Sequence, residues 1–213
     1  MATPGELVET MAHVLGVPAA TVSQYDRQLA EAGLRASGGR GTSAAKVTAT
    51  DAANLLIAIL GAPISGASIK AACQMCETLG AFPARRRLSS TRKFGKFGFD
   101  TLGALPRTHT FRDAVSALIE GVSVGEPFKK SGRTQEFLPW GHFLNLNVDS
   151  PALSAQIAFH RGPSSAEMAL LVYDLEDRNP PSGVEFKPDL RQQRRVSFMT
   201  IKSLGNLIAA ENN

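Results

Sequence analysis

The spacing of the apolar residues changes once along this chain, close to Pro127, and that change limits the fold more than any single motif. Before it, apolar side chains recur at three- and four-residue intervals. Leu7, Val8, Met11, Ala12 and Leu15, between Pro4 and Leu15, make one apolar stripe on a helix. After it, apolar and β-favouring residues come in short runs at 142–148, 153–161, 167–175 and 194–202. The runs are divided by Asp149-Ser150-Pro151, Arg161-Gly162-Pro163 and Asn179-Pro180-Pro181, which are turn signals. Helices in one block and strands in the next predict an α+β protein with a C-terminal antiparallel sheet. A short final helix, at about 204–210, is expected to cover one face of that sheet.

The helical block divides further. Gly16-Val17-Pro18 breaks the first helix, because Gly tolerates a left-handed turn and Pro at a first helical position sacrifices no hydrogen bond. A second helix is expected at 18–32, with Val22, Tyr25, Leu29 and Ala32 on its buried face. Gly33 ends it, Leu34 returns to the core, and 35–46 reads as an exposed basic loop or hairpin. Thr50-Asp51 is expected to cap an apolar helix at 52–60, which stops at Gly61-Ala62-Pro63. Two more helices are expected at 66–79 and 111–122, separated by a basic stretch with little periodicity. The organisation is thus an N-terminal domain at 1–62, a helical and basic connecting region at 63–135, and an α+β domain at 136–213.

The length of 213 residues suits one large domain or two small ones, and 43% hydrophobic residues supply a core. Only 7% are aromatic, so that core must rest on Ala, Leu, Val and Ile. The net charge of +4 is concentrated in one place. Segment 84–135 holds eleven basic residues against Asp100, Asp113, Glu120 and Glu126, while the rest of the chain is close to neutral or slightly acidic. A clustered basic stretch attracts phosphate or anionic lipid.

Several function classes find little support. No run approaches the roughly 18 apolar residues needed to span a bilayer. The first residues, with Glu6 and Glu9 and no basic segment, do not read as a signal peptide, so a cytoplasmic location is expected. Cys73 and Cys76 form one C-x-x-C, but a structural zinc site needs four ligands, and His13, His109, His142 and His160 are scattered. Two reduced thiols in a helix are the expectation, with no metal and no cofactor. Gly95-Lys96 lacks the spacing of a phosphate loop, and no Gly-x-Gly-x-x-Gly follows a strand. Asp174, Glu176 and Asp177 could hold a cation, although a strand leaving its sheet for solvent explains them as well. No enzymatic activity is expected.

The first two helices carry the strongest signal. A helix-turn-helix reader needs a small residue at the tight turn, a buried Val fixing the second helix, and short polar side chains on its outer face. Gly16-Val17, then Thr21-Val22-Ser23, and the closing Glu31-Ala32-Gly33-Leu34 resemble the winged helix-turn-helix of bacterial transcription regulators. That resemblance covers the first 62 residues or so, and places Gly38-Gly39-Arg40-Gly41 where such domains carry their wing. The run Thr48-Ala49-Thr50-Asp51-Ala52-Ala53-Asn54 is similar to regulators carried by prophages. The resemblance implies that the helix at 18–32 enters a major groove of double-stranded DNA.

On a helical wheel, Ala20, Gln24, Arg27 and Glu31 lie opposite the buried stripe, flanked by Thr21, Ser23 and Gln28. Gln24 can bond adenine N6/N7 and Arg27 guanine O6/N7, each worth about 1–3 kcal/mol of discrimination. Thr21, Ser23 and Gln28 are expected on phosphates, and Arg35, Arg40 and Lys46 on an adjacent groove or backbone. Arg85, Arg86, Arg87, Arg92, Lys93 and Lys96, interleaved with Phe94, Phe97 and Phe99, could form an arm along the phosphates, with the aromatics stacking on bases or docking the arm. Six phosphate contacts would give log K a slope of about −5 against log salt. A solvated linker is the plain alternative for that stretch. One helix reads few base pairs, so a homodimer on a pseudo-palindromic site is expected, with RNA polymerase or another regulator as a further partner. The alternatives are a small-terminase-like phage DNA-packaging subunit and a protein-interaction module without nucleic-acid binding.

Overall fold

The computed structural model describes residues 2–36, 38, 45–62, 69–85, 91–96, 98–127, 144–150, 153–160, 167–174 and 192–210. Helix α1 (Pro4–Leu15) occupies the residues its apolar spacing predicts. Thr3 and Glu6 cap it reciprocally, the Thr3 amide donating to Glu6 Oε2 at 2.7 Å and the Glu6 amide to Thr3 Oγ1 at 3.3 Å. Gly16 ends it at φ +65°, a left-handed value that suits Gly. The chain then turns into α2 (Ala19–Glu31).

Helix α3 (Ala49–Gly61) starts earlier than the expected Thr50-Asp51 cap. Thr48 is the N-cap and Asp51 its reciprocal partner, because Thr-x-x-Asp places the carboxylate at the third helical position, where it reaches back to the Thr48 amide at 2.8 Å. Every residue from Asp51 to Gly61 is buried. A helix apolar on all sides belongs at the centre of a protein. Accordingly α3 touches α2, α4 (Ile69–Gly80), α7 (Phe111–Ser123), α8 (Phe198–Ala209) and β1 (Leu144–Ser150). Among its described residues, the stretch between α4 and α7, aperiodic in sequence, holds two short helices, α5 (Thr91–Lys96) and α6 (Asp100–Gly103).

The sheet is antiparallel, four-stranded, and ordered β3-β2-β1-β4, with β2 at Ser154–His160, β3 at Glu167–Tyr173 and β4 at Gln192–Ser197. The molecule is α+β: helices first, then the sheet and a C-terminal helix. The expected fourth strand at 194–202 is cut short at Ser197. Its side chain accepts from the Met199 amide, and Phe198, Ile201, Leu204 and Ile208 then recur at helical spacing and are buried. The second half of the expected strand and the expected short helix are therefore one 12-residue helix.

One apolar cluster runs from Ala2 to Ile208 and draws residues from all three sequence segments. Helix α1 packs on α8, and α8 on α7. The α7–α8 crossing is close. A Cβ on Gly205 would meet the Val122 side chain and lie 2.9 Å from the Ile119 carbonyl. The sheet is pinned to α3 by Arg194, whose guanidinium donates to the Ile59 carbonyl near the helix C-terminus. His109 and Tyr173, both buried, join the loop before α7 to β3. Nδ1 of His109 lies 2.7 Å from the Pro106 carbonyl and must donate there, which leaves Nε2 to accept from the Tyr173 hydroxyl at 2.9 Å.

Candidate nucleic-acid interface

The helix pair α1–α2 is built around a short turn. Val17 returns its amide to the Ala12 carbonyl at 3.2 Å, and the Thr21 and Val22 amides both bond the Pro18 carbonyl. Val22 and Leu29 fix α2 on its inner side. Between them, one turn after Val22, stands Asp26, also buried. Tyr25, expected on the buried face, is half-buried, and Ala32 is exposed. The buried stripe is thus Val22, Asp26 and Leu29.

Asp26 explains a residue that the sequence assigns to DNA. Arg35 Nε lies 2.6 Å from Asp26 Oδ1, with about a tenth of each side chain exposed. Burial raises the Asp26 carboxyl above its usual range, and the Arg35 charge works against that rise. Arg35 also donates to the Ala36 carbonyl at 2.7 Å. Its guanidinium holds the end of α2, and no free cation is offered to a phosphate from this position. The neighbouring backbone is fastened to α3: the Ala36 amide donates to Asp51 Oδ1 at 3.0 Å, and Asn54 Nδ2 donates to the Leu34 carbonyl at 2.6 Å. The sequence signal for this anchor is an acidic residue in an otherwise apolar helical stripe, with an Arg just beyond the helix end.

The outer face of α2 is open. Ala20, Ser23, Gln24, Arg27 and Glu31 are exposed in one stripe, as the helical wheel predicts. Thr21 and Gln28 are half-buried at its margins. Gln28, Glu31 and Ala32 also border a shallow groove of about 340 Å³, completed by Cys73, Gln74 and Glu77 of α4. Arg27 is 80% exposed and donates from Nε to Glu31 Oε1 at 2.9 Å, while the Gln28 amide donates to Glu31 Oε2 at 3.0 Å. Glu31 thus engages two of the side chains assigned to DNA.

The remaining basic positions are divided. Lys46 is exposed; Arg40, Arg86 and Arg87 lie outside the described residues. Arg85 reaches β3, its amide donating to the Val172 carbonyl at 2.7 Å and its Nε pairing with Asp174 Oδ1 at 2.8 Å. That pairing accounts for the buried acidic side chain at the end of β3 without a bound metal ion. Glu176 and Asp177 lie outside the described residues. Arg92 and Lys96 are exposed on α5, and Lys93 lies on the same helix with its side chain outside the described residues. Phe94 and Phe99 do not stack on bases. They are buried, and Phe99 meets Phe94, Phe159 and Phe198 edge-on at 5.8–6.5 Å between ring centres. The aromatics of this stretch dock it to the sheet and α8; Phe97 lies outside the described residues. Helix α5 packs on α6 and β3, whereas α2 packs on α1, α3 and α4, so different neighbours position the two basic groups.

No family model, curated protein or solved structure matches this chain. Its site must be read from its own chemistry. The C-x-x-C pair is divided by burial. Cys76 is fully buried, its thiol donates to the Asn54 carbonyl at 3.3 Å, and burial pushes that thiol up to about 11. Cys73 is half-buried, and burial raises its thiol as well. Neither is an activated thiolate. Among the described residues no group of three or more His, Cys, Asp or Glu side chains could hold a metal, and no helix is long and apolar enough to cross a membrane.

Proposed function

We propose that the chain is a sequence-specific DNA-binding transcription regulator that reads a major groove with the outer face of α2. The observation that carries this reading is the single open stripe of Ser23, Gln24 and Arg27 on a helix held from behind by Val22, Leu29 and the Asp26–Arg35 pair. Rigid support with no packing role for the outer side chains is what a reading helix needs. The tight turn at Gly16-Val17-Pro18 supports a helix-turn-helix, and Lys46 and Arg40 stand on the segment assigned to a wing. A dimer on a pseudo-palindromic site supplies the specificity that one helix lacks.

One observation favours a protein-interaction module instead: Glu31 neutralises Arg27 within the same stripe. Footprinting of the tagged protein supplies a site, and a duplex titration over a salt series decides between the readings. DNA reading requires salt-dependent binding that falls about tenfold or more in Gln24→Ala or Arg27→Ala. Absence of salt-dependent binding, or unchanged binding in an Arg27→Ala plus Arg40→Ala variant, overturns it. Light scattering separates a dimeric regulator from the larger ring of a DNA-packaging subunit.

A further inference from the structure

The sheet has two unlike faces. Leu144, Leu146 and Val148 of β1 are buried among the apolar residues of the core, and the alternation of a strand sends Asn145 and Asn147 to the opposite face. Across the β1–β4 ladder Asn145 stands opposite Ser197, and Asn147 opposite Arg195. Asn145 is only 3% exposed, yet among the described residues its Oδ1 has no hydrogen-bond partner, and the enclosed Oδ1 of Asn147 has none either. An unmatched buried acceptor costs about 1–3 kcal/mol. Native folds carry few of them, and each calls for an explanation.

The explanation lies in what adjoins Asn145. A cleft of about 480 Å³ opens there, with Arg195, Ser197 and Thr200 as its other polar walls and Val14 and Leu15, from the end of α1, as its apolar one. That volume lies in the range of small-molecule sites. Arg195 is exposed and makes no ion pair or side-chain hydrogen bond among the described residues. Asn145 and Arg195 are a diagonal pair on neighbouring strands, about 7–8 Å apart at the backbone in such ladders, a gap the Arg side chain spans. A guanidinium without an anion, beside an amide oxygen without a donor, asks for a ligand with both a carboxylate and an N–H group.

The geometry points to a binding site for a free α-amino acid with an apolar side chain. Its carboxylate lies on Arg195, the Asn145 amide turns its enclosed Oδ1 toward the cleft to accept from the ammonium, the Ser197 and Thr200 hydroxyls lie beside it, and its side chain rests on Val14 and Leu15. These two residues directly precede the Gly16 turn into α2, so an occupant touches the helix pair and the sheet at once. Binding stands independently of DNA reading; an effect of the occupant on α2 rests on that proposal.

Calorimetric titration of the full chain with leucine, valine and isoleucine tests the site. At least one should bind. Leucine's two truncated analogues, 4-methylpentanoate without the ammonium and 3-methylbutylamine without the carboxylate, should bind at least tenfold more weakly than the amino acid. Arg195→Gln and Asn145→Leu should each weaken binding at least tenfold. Asn145→Leu removes an unmatched acceptor, so its melting temperature should hold or rise, which separates lost binding from lost folding. No binding at millimolar amino acid, equal binding of a truncated analogue, or binding retained in both variants overturns the site. A DNA titration with the amino acid bound reads the link to α2 alone. Unchanged DNA affinity overturns that link and leaves the site standing, whereas no DNA binding under any condition overturns the DNA reading instead.

Discussion

Helices α2 and α3 have the same length, 13 residues, and opposite relations to water. Helix α3 is buried from Asp51 to Gly61, whereas α2 buries Val22, Asp26 and Leu29 alone. Packing against α2, α4, α7, α8 and β1 dictates the composition of α3, leaving Asp51 and Asn54 as its buried polar members. The buried polar residues of both helices serve one place. Asp26 holds Arg35, Asp51 holds the Ala36 amide, and Asn54 holds the Leu34 carbonyl. The turn that closes α2 is thereby fixed to the central helix, which frees the outer face of α2 from any structural duty. The difference between the helices separates residues chosen for packing from residues available for recognition.

The comparison predicts a gradient of stability effects. Leu56→Ala, in the middle of α3, should lose about 3 kcal/mol in denaturant melts, because it removes a fully buried side chain and leaves a cavity in a helix with no solvent side. Asp26→Ala should cost about 2 kcal/mol by leaving the Arg35 guanidinium enclosed without its partner. Replacing both, Asp26→Leu with Arg35→Met, should recover most of that loss, since apolar residues of similar volume substitute for a buried pair. A double variant no better than Asp26→Ala would mean that the backbone anchors of 33–36 depend on the charges themselves.

The Cys76 thiol adds a pH-dependent test of the contact between α3 and α4. Its folded value of about 11 lies above the ordinary 9.0, so the folded state holds the proton more tightly than the unfolded chain. The stability this group contributes is complete below the ordinary value and is lost as pH rises toward the folded one. A loss of about 1 kcal/mol between about pH 9 and pH 10 is expected from this thiol. Melts at both pH values should show a smaller decline in Cys76→Ala than in the wild type. Equal declines would place the thiol outside the buried contact with Asn54.

Local rules made much of this fold legible. The Pro4–Leu15 helix and the positions of three strands follow from apolar spacing and turn residues. The start of α3 was also written locally, since Thr48-x-x-Asp51 is a capping box, but Thr50-Asp51 offers the same chemistry two residues later and competes with it. The end of β4 was harder to see. Val196, Phe198, Thr200 and Lys202 alternate like a strand, while Phe198, Ile201 and Leu204 recur like a helix, and only the packing of α8 on α1 and α7 selects the second pattern. For the interface, the outer stripe of α2 was legible because helical geometry alone defines it. The fates of Arg35 and Arg85 were not, because Asp26 captures one from within a buried stripe and Asp174 captures the other from a different element. Phe94 and Phe99 look like stacking residues beside a run of cations, and tertiary contact with Phe159 and Phe198 makes them core.

The smallest stability effect sharpens the contrast most, because it falls on the face that packing leaves alone. Gln24→Ala and Glu31→Gln should each change stability by no more than about 0.5 kcal/mol, as exposed substitutions do. Their effects on DNA should be opposite. Glu31 accepts from both Arg27 and Gln28 and carries a negative charge within the face proposed to meet phosphates. Glu31→Gln removes that charge and releases the Arg27 guanidinium to a base or phosphate, so DNA affinity should rise about threefold to tenfold at low salt. The gain should shrink as salt screens the charge it removed. Gln24→Ala should weaken binding to the footprinted site while leaving affinity for unrelated duplex nearly unchanged, because a base contact carries sequence information and a phosphate contact does not. If Glu31→Gln fails to tighten DNA binding while Arg27→Ala abolishes it, the Arg27–Glu31 pair is part of the recognition surface in its paired form, and the open face of α2 reads its target as a salt bridge.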